Sequence, residues 1–418
     1  MTNAHHPPYP AYKPSGADWL GDIPAHWEVR RLKFVASQVT FKLDQKPSDK
    51  IYLGLESIES GTGRLLPDLL ADTVESVVSA FQSGDVLFNK LRPYLAKVVH
   101  ADFDGVCTSE LMVLRPNCGL LHNRFLFYLM LSHGFISIVN AMTYGVKMPR
   151  ASPSYIANLA ICLPPLAEQR AIAEYLDRET AHVDALIAKK RELLDLLERQ
   201  RTALISHAVT KGLNPAAPLK PSGVDWLGDI PAHWEVRRLK FVARFAYGDS
   251  LNVVNREDGN VPVFGSNGIV GTHNEANTFA PCIVIGRKGS FGKVKYSDIP
   301  VFAIDTTFYV DSRCTKQDLR WLYYTLGLLG LDESSQDSAV PGLSREFAYN
   351  QYVPFPPLAE QRAIAEYLDR ETAQIDRLKG EVEASIDLLQ RYRTALISAA
   401  VTGKIDVRVP AAASCPSA

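Results

Sequence analysis

"PPLAEQRAIAEYLDRETA" occupies residues 164–181 and returns letter for letter at 356–373. Two prolines stand just ahead of a run from Ala171 to about Val209 that holds neither Pro nor Gly. Proline is tolerated before a helix or in its first turn, so the pair reads as a start signal. Val183, Leu186, Leu193, Leu197 and Leu204 then recur with a heptad rhythm. In the second copy the same positions are Ile375, Leu378, Ser385, Leu389 and Leu396, and Lys190 is answered by Val382. Gly212 and Gly403 follow the ends of the two runs. The spacing predicts two helices, each roughly 55–60 Å long at 1.5 Å per residue. Their expected seam joins Val183, Leu186, Leu197 and Leu204 to Ile375, Leu378, Leu389 and Leu396. A single amphipathic helix ordinarily lies on its own domain's core, but two near-identical ones offer each other a matching apolar stripe.

A second passage is also duplicated. "KPSGADWLGDIPAHWEVRRLKFVA" at 13–36 reappears at 220–243 with only Ala17 changed to Val224. Between the shared passages lie two segments of different length and content, 37–163 and 244–355. Their layouts nevertheless correspond: "DVLFNKLRPYLAKVV" from Asp85 answers "CIVIGRKGSFGKVKY" from Cys282, "NRFLFYLMLS" from Asn123 answers "DLRWLYYTLG" from Asp318, and "MPRAS" from Met148 answers "VPGLS" from Val340. Short β-rich runs broken by Gly, Asp or Pro alternate with aromatic helices that start at Asn123 and Asp318. The expected fold is therefore α+β: two mixed α/β lobes joined by two long antiparallel helices in a coiled coil, with a pseudo-two-fold internal repeat. The expected segments are 1–163 and 213–355 for the lobes, 164–212 and 356–404 for the helices, and 405–418 as a tail. The repeated Trp19/Trp27 and Trp226/Trp234 fit either a partner-binding surface or the core at the base of each lobe.

Composition narrows the class without choosing a function. The chain has 418 residues, 46% apolar and 22% charged, with a net charge of −1 and six cysteines that show no metal-ligand spacing. These are globular values, and a reducing compartment is the simplest reading. "MTNAHHPPYPAYKPSG" lacks a signal-peptide pattern, and "FLFYLMLSHGFISIVNAM" from Phe125 is interrupted by Ser132, His133 and Asn140. A cytoplasmic protein that does not enter a membrane is expected.

Catalytic motifs fail on inspection. "HPPY" at 6–9 puts His6 where an amino-methyltransferase motif needs a side-chain acceptor. "GRKGSFGKV" from Gly286 has five residues before Gly292, where a phosphate loop has four, and Val294 stands in place of a Mg²⁺-binding Ser or Thr. "FGSNG" from Phe264 reads as a turn. No nucleophile elbow, zinc helix or defensible acid–base pair is present. An enzyme with a disguised site is the weakest reading. A coiled-coil scaffold without DNA binding is the stronger alternative to a DNA-binding protein.

Two basic hairpins are chemically prominent. Residues 89–97 carry Lys90, Arg92 and Lys97 around Tyr94, and residues 286–295 carry Arg287, Lys288, Lys293 and Lys295 around Phe291 and Ser290, with no acid in either. Neutralising phosphates takes cations, and reading guanine in the major groove takes Arg or Lys. A charged hairpin edge also protects a sheet from pairing with another chain. Recurrence at one place in two divergent lobes favours DNA contact, with Arg150, Ser152, Ser344 and Arg345 beside the "MPRAS" and "VPGLS" turns as further candidates.

The alternation of dissimilar segments with "WLGDIPAHWEVRRLKFVA" and "PPLAEQRAIAEYLDRET…RTALISHAVTKG" resembles the specificity subunit of Type I restriction-modification systems, from Tyr12 to Lys404. "YLGLESIESGTGRLL" from Tyr52 and "VPVFGSNGIVGTHN" from Val261 resemble openings of that family's target recognition domains. The resemblance implies a subunit without catalysis or cofactor of its own, each lobe reading one half of a bipartite double-stranded DNA target. It implies helices that set the spacer and dock two modification subunits, which bind S-adenosylmethionine and methylate adenine. Restriction subunits using ATP and Mg²⁺ are the further expected partners.

Overall fold

The computed structural model describes residues 6–44, 46–47, 50–66, 77–332 and 342–408. Among them seven α-helices follow in chain order: α1 (Asn123–Leu131), α2 (His133–Ala141), α3 (Pro153–Asn158), α4 (Leu166–Lys211), α5 (Leu319–Leu326), α6 (Arg345–Asn350) and α7 (Leu358–Val401). The chain divides into two compact units, Met1–Lys190 with Glu383–Ala418, and Arg191–Val382. These differ from the segments expected from sequence, because each unit takes in part of both long helices.

In the first unit, strands Ala36–Val39, Leu111–Pro116, Val86–Asn89 and Val98–His100 form an antiparallel sheet in that order, with Met112 opposite Phe88 and Val86 opposite His100. A second sheet orders Lys42–Leu43, Val78–Phe81, Gly105–Thr108 and Ile51–Leu53, the last pair parallel. Every residue from Phe125 to Leu131 is buried, so α1 is apolar all round and serves as a core helix. It packs with Phe88, Met112 and Phe135 in one cluster, where each large apolar side chain contributes about 1.5–3 kcal/mol of burial. Among the described residues no single helix is long and apolar enough to cross a membrane. Helices α1 and α2 reach that length and apolarity only taken together, and they are bent by 61° where they meet.

The second unit repeats the first sheet's order with Ala246–Tyr247, Thr307–Val310, Cys282–Gly286 and Val294–Ser297. Gly268–His273, Val261–Gly265 and Phe302–Ala303 form its second sheet. Helix α5 lays Trp321 and Leu322, both fully buried, into the core, and its N-cap Asp318 accepts from Trp321 N at 2.8 Å. Asn123 departs from the expected cap: His122 is the N-cap residue of α1, and no side chain caps it.

The duplicated passages bind one another inside each unit. Glu28–Arg31 pairs with Ala160–Leu163, the strand that leads into the second passage, and Glu235–Arg238 pairs likewise with Tyr352–Phe355. The Trp27 indole donates to Glu168 at 3.0 Å and the Trp234 indole to Glu360 at 2.9 Å. Both rings are 0% exposed, which excludes Trp27 and Trp234 as a partner-binding surface. Trp19 and Trp226 donate to the carbonyls of Ala160 and Tyr352. A second repeated lock holds the core helix against the long one. Tyr128 donates to Asp177 at 2.6 Å with Arg124 on the same carboxylate, and Tyr324 donates to Asp369 at 2.6 Å with Arg320 beside it. Burial, reinforced by the bond to the carboxylate, raises both phenols, that of Tyr324 to about 12. The letter-for-letter identity of "LDRETA" thus has a structural cause in Asp177/Asp369 and Thr180/Thr372.

Helices α4 and α7 run for 46 and 44 residues, starting directly after the prolines, or about 65–70 Å each. Six of the eight expected seam residues are buried or half-buried, and Leu186 and Leu378 are the two exposed ones. In the first unit Val183 and Ile187 are buried while Leu186 is 36% exposed, and in the second Ile375 is buried while Leu378 is 43% exposed beside Lys379. From Val183 the heptad takes its four-residue step first, through Ile187. Accordingly Leu193 is exposed and Leu194 half-buried. Leu197 and Leu396 are buried, Leu204 and Leu389 half-buried. Arg393 pairs with Asp184 at 3.0 Å in the first unit, and in the second Arg201 pairs with Asp376 and Lys379 with Glu198. Along those last two pairs the numbering rises on one helix and falls on the other.

Candidate nucleic-acid interface

Strands Val86–Asn89 and Val98–His100 continue into one hairpin, strands Cys282–Gly286 and Val294–Ser297 into the other. Each hairpin is joined by backbone to a turn far along the chain. In the first unit Ala151 N donates to Lys90 O at 2.9 Å, Arg92 N to Pro149 O at 2.7 Å, and Leu91 bridges Arg150. In the second, Leu343 N donates to Arg287 O at 2.8 Å and Lys288 bridges Gly342. The "MPRAS" residues and Gly342 and Leu343 of "VPGLS" are thereby brought to equivalent places against the basic hairpins. Val340 and Pro341, the first two residues of "VPGLS", lie outside the described residues.

The candidate cations are not equally available. The Arg150 guanidinium grips Glu110 through two bonds of 2.6 and 3.1 Å. Lys90 donates to Ser109 O at 2.7 Å, and burial depresses its pKa. Lys97 donates to Leu55 O at 2.6 Å, and Ser152 meets Ser154 at 2.8 Å. No described residue hydrogen-bonds or ion-pairs the Arg92 guanidinium. Its backbone is left-handed at φ 52°, and Ala96 at φ 48° follows in the same hairpin. The second hairpin has glycines in such conformations, Gly289 at φ 72° and Gly292 at φ 76°. Among the described residues Arg92 and Ala96 are the two non-glycine residues with positive φ. Strain of this kind persists where the surrounding bonds over-determine it and is found at functional sites.

In the second unit Arg287 and Arg345 each lie 4.9 Å from the ring centre of Tyr247, and Arg287 also donates to Asp305 O at 3.0 Å. Such stacking holds a guanidinium flat on a ring while its outer N–H groups stay free to donate. Lys288 is exposed, Lys293 donates to Asn267 at 2.7 Å, and Ser290 is half-buried in the turn. Ser344 caps α6 by accepting from Phe347 N. Gly286 N and Gly292 N are spent on Lys293 O and Gly286 O, so the segment is a closed hairpin and not an amide cradle for phosphate. Among the described residues no cluster of three His, Cys, Asp or Glu suits a metal.

Sequence reading missed Tyr247, the ring that gathers two arginines, and Glu110, which occupies Arg150. Neither carries a local signal, since each partner lies tens of residues away. It also missed the exposed apolar turn beside the first hairpin, where Tyr144 is 60%, Val146 101% and Met148 60% exposed.

A family model described as "Type I restriction modification DNA specificity domain" matches residues 76–196 and 231–387. Over 172 residues the chain is 30% identical to the Type I restriction enzyme EcoDI specificity subunit of Escherichia coli, covering 40% of this chain and 38% of that protein. Over 420 residues it is 24% identical to the putative type I restriction enzyme MjaX specificity subunit of Methanocaldococcus jannaschii, covering 93% and 96%. A chain from a structural study of complex assembly and conformational transition of the type I R-M system superposes with a TM-score of 0.71 at 22% identity, over 91% of this chain and 98% of that one. The HsdS subunit of Thermoanaerobacter tengcongensis gives 0.50 at 21% identity, over 92% and 98%. At these identities the superpositions establish a shared fold.

Proposed function

This chain belongs to the Type I restriction-modification specificity family, and from that premise we propose that each of its units reads one half of a bipartite duplex target. The observation carrying the proposal is the recurrence, in units of different sequence, of a basic hairpin bonded to a distant turn. Cations at a strand edge neutralise phosphates, and an arginine held in place by backbone bonds or an aromatic ring is pre-organised for a guanine edge. Arg92 in one unit and Arg287, Lys288 and Arg345 in the other are the principal readers, with Lys90, Lys97, Ser152, Ser290, Lys293 and Ser344 as their surroundings. Arg150 acts by fixing the turn through Glu110.

The two long helices form an antiparallel coiled coil that spaces the readers, supported by the ion pairs Arg393–Asp184, Arg201–Asp376 and Lys379–Glu198. Because the frame is duplicated, it offers related surfaces to two modification subunits. The chain is the non-catalytic, cytoplasmic member of the assembly. S-adenosylmethionine, ATP and Mg²⁺ belong to the modification and restriction subunits. Replacing residues 37–163 by the matching segment of a relative, followed by methylation mapping, tests this reading. One half-site is expected to change and the other to persist; a change in both would sink the two-reader arrangement.

A further inference from the structure

The duplicated frame carries one carboxylate in two different states. In the first unit Glu168, in the first turn of α4, accepts from the Trp27 indole at 3.0 Å, meets His26 Nε2 at 2.8 Å, accepts from the Tyr9 hydroxyl at 2.5 Å and faces Arg408 Nη1 at 3.5 Å. Of about four lone-pair sites on a carboxylate, three here have hydrogen-bond partners and Arg408 adds an ion pair, with the side chain only 4% exposed. Tyr9 is 3% exposed and meets the rings of Trp27 and His26, with Arg408 over its own ring at 5.1 Å. Asp406 holds Arg408 in turn.

In the second unit Glu360 accepts from Trp234 at 2.9 Å and meets His233 at 2.7 Å, and it stops there, with 41% of its side chain exposed. The backbone explains the difference. Ala25 N bonds Ala11 O as Ala232 N bonds Pro218 O, an equivalence that carries Tyr9 onto Ala216. Asp406 accepts from Arg408 N as Asn214 accepts from Ala216 N, an equivalence that carries Arg408 onto the same Ala216. A phenol and a guanidinium are thus both answered by one methyl group. What remains is a cavity of about 320 Å³ lined by Lys211, Gly212, Asn214, Ala217, His233 and Glu360 among others. That volume lies at the small end of ligand-sized pockets, roughly 300–1,000 Å³.

We propose that the Glu360 cavity is a socket for a partner polypeptide, which presents a tyrosine hydroxyl with an arginine beside it, the chemistry the first unit supplies to Glu168 from its own chain. The two copies of the frame are then unequal: one is filled in cis and one is open to a partner. The identity of that partner rests on the proposed function, in which it is a modification subunit.

The test fills the socket in cis. Ala216→Tyr should raise the unfolding midpoint of the second unit by roughly 2–4 °C, the shift a gain of about 1 kcal/mol gives a unit of this size. In the intact chain it should weaken one of two binding events with the purified modification subunit by about tenfold or more, leaving the other unchanged. Both binding constants at wild-type values in a stabilised variant would overturn the socket and leave the family-level reading intact. Failure of the wild-type chain to bind modification subunits at all would overturn the proposed docking, and the socket's occupant with it. If Ala216→Tyr does not fold, the wild-type chain is challenged with the synthetic peptide HPPYPAYKP, which matches residues 6–14. The peptide should compete with that binding event, and its Tyr9→Phe form should compete at least about tenfold less; equal effect of the two, or none, would overturn the socket.

Discussion

Arg92→Gly separates what the first hairpin does for stability from what it does for DNA. Arg92 has φ 52° and ψ 62°, Ala96 φ 48° and ψ 46°, both left-handed. That conformation costs an L-residue roughly 1–2 kcal/mol, and glycine nothing comparable. Glycine gives back about 0.4–1 kcal/mol through the freedom of the unfolded chain. Arg92→Gly keeps the backbone bond from residue 92 to Pro149 O, at 2.7 Å, and removes no side-chain bond made within the described residues. Stability should therefore hold or rise by up to about 1.5 kcal/mol. If the guanidinium contacts a base, cognate affinity should fall by about 1–3 kcal/mol, roughly five- to 150-fold, with relaxed choice at one position of one half-site. If it contacts a phosphate, all sequences should weaken and the salt slope should drop by about one. Ala96→Gly gives the same backbone relief without losing a cation, and its DNA binding should stay within about twofold of wild type. The assay pairs denaturant unfolding with anisotropy titrations of labelled duplexes against the assembled complex at several salt concentrations. Wild-type affinity, salt slope and sequence choice in Arg92→Gly would refute the assignment. Equal losses in both variants would mean that backbone geometry, not the cation, sets recognition.

The second unit should respond to acid through Asp311, whose side chain is 0% exposed. Burial alone would raise this carboxyl, but Arg313 and the N–H groups of Phe279 and Arg313 outweigh it and hold it below the ordinary range. A depressed carboxyl stabilises above its unfolded pKa of about 3.9 and loses that contribution as pH falls through the folded value. Thermal unfolding between roughly pH 5 and 2 should therefore show a component that Asp311→Asn removes, and an unchanged pH slope in the variant would contradict it. The burial of Ile187 in place of Leu186 predicts that Ile187→Ala, at a position 6% exposed, costs about 2 kcal/mol or more in denaturant unfolding. Leu186→Ala, at 36% exposure, should cost under about 1 kcal/mol, and the reverse order would restore Leu186 to the seam, as expected from sequence.

Local order was legible in the sequence because its causes are local. The prolines before α4 and α7, the unbroken helical runs, the strands around "VLFN" and "CIVIG" and both basic hairpins depend on neighbours a few residues away. The short strands Lys42–Leu43 and Phe302–Ala303 were not legible, since two residues carry no period. Periodicity placed the stripe through Val183, Leu197 and Leu204 but not the residue that packs between its members. A turn of about 100° per residue separates Leu186 from Ile187, and only the packed core selects which one is buried. Duplication announced a frame, yet folding alone decided that Trp27 and Trp234 are core, that Glu110 occupies Arg150, and that Tyr247 gathers Arg287 and Arg345. It also decided that one carboxylate of an identical pair is filled while the other stands open, because the residues that fill Glu168 come from positions 9 and 408, which only the closed chain brings together. Charge and burial depend on such long-range partners, and no window of sequence contains them.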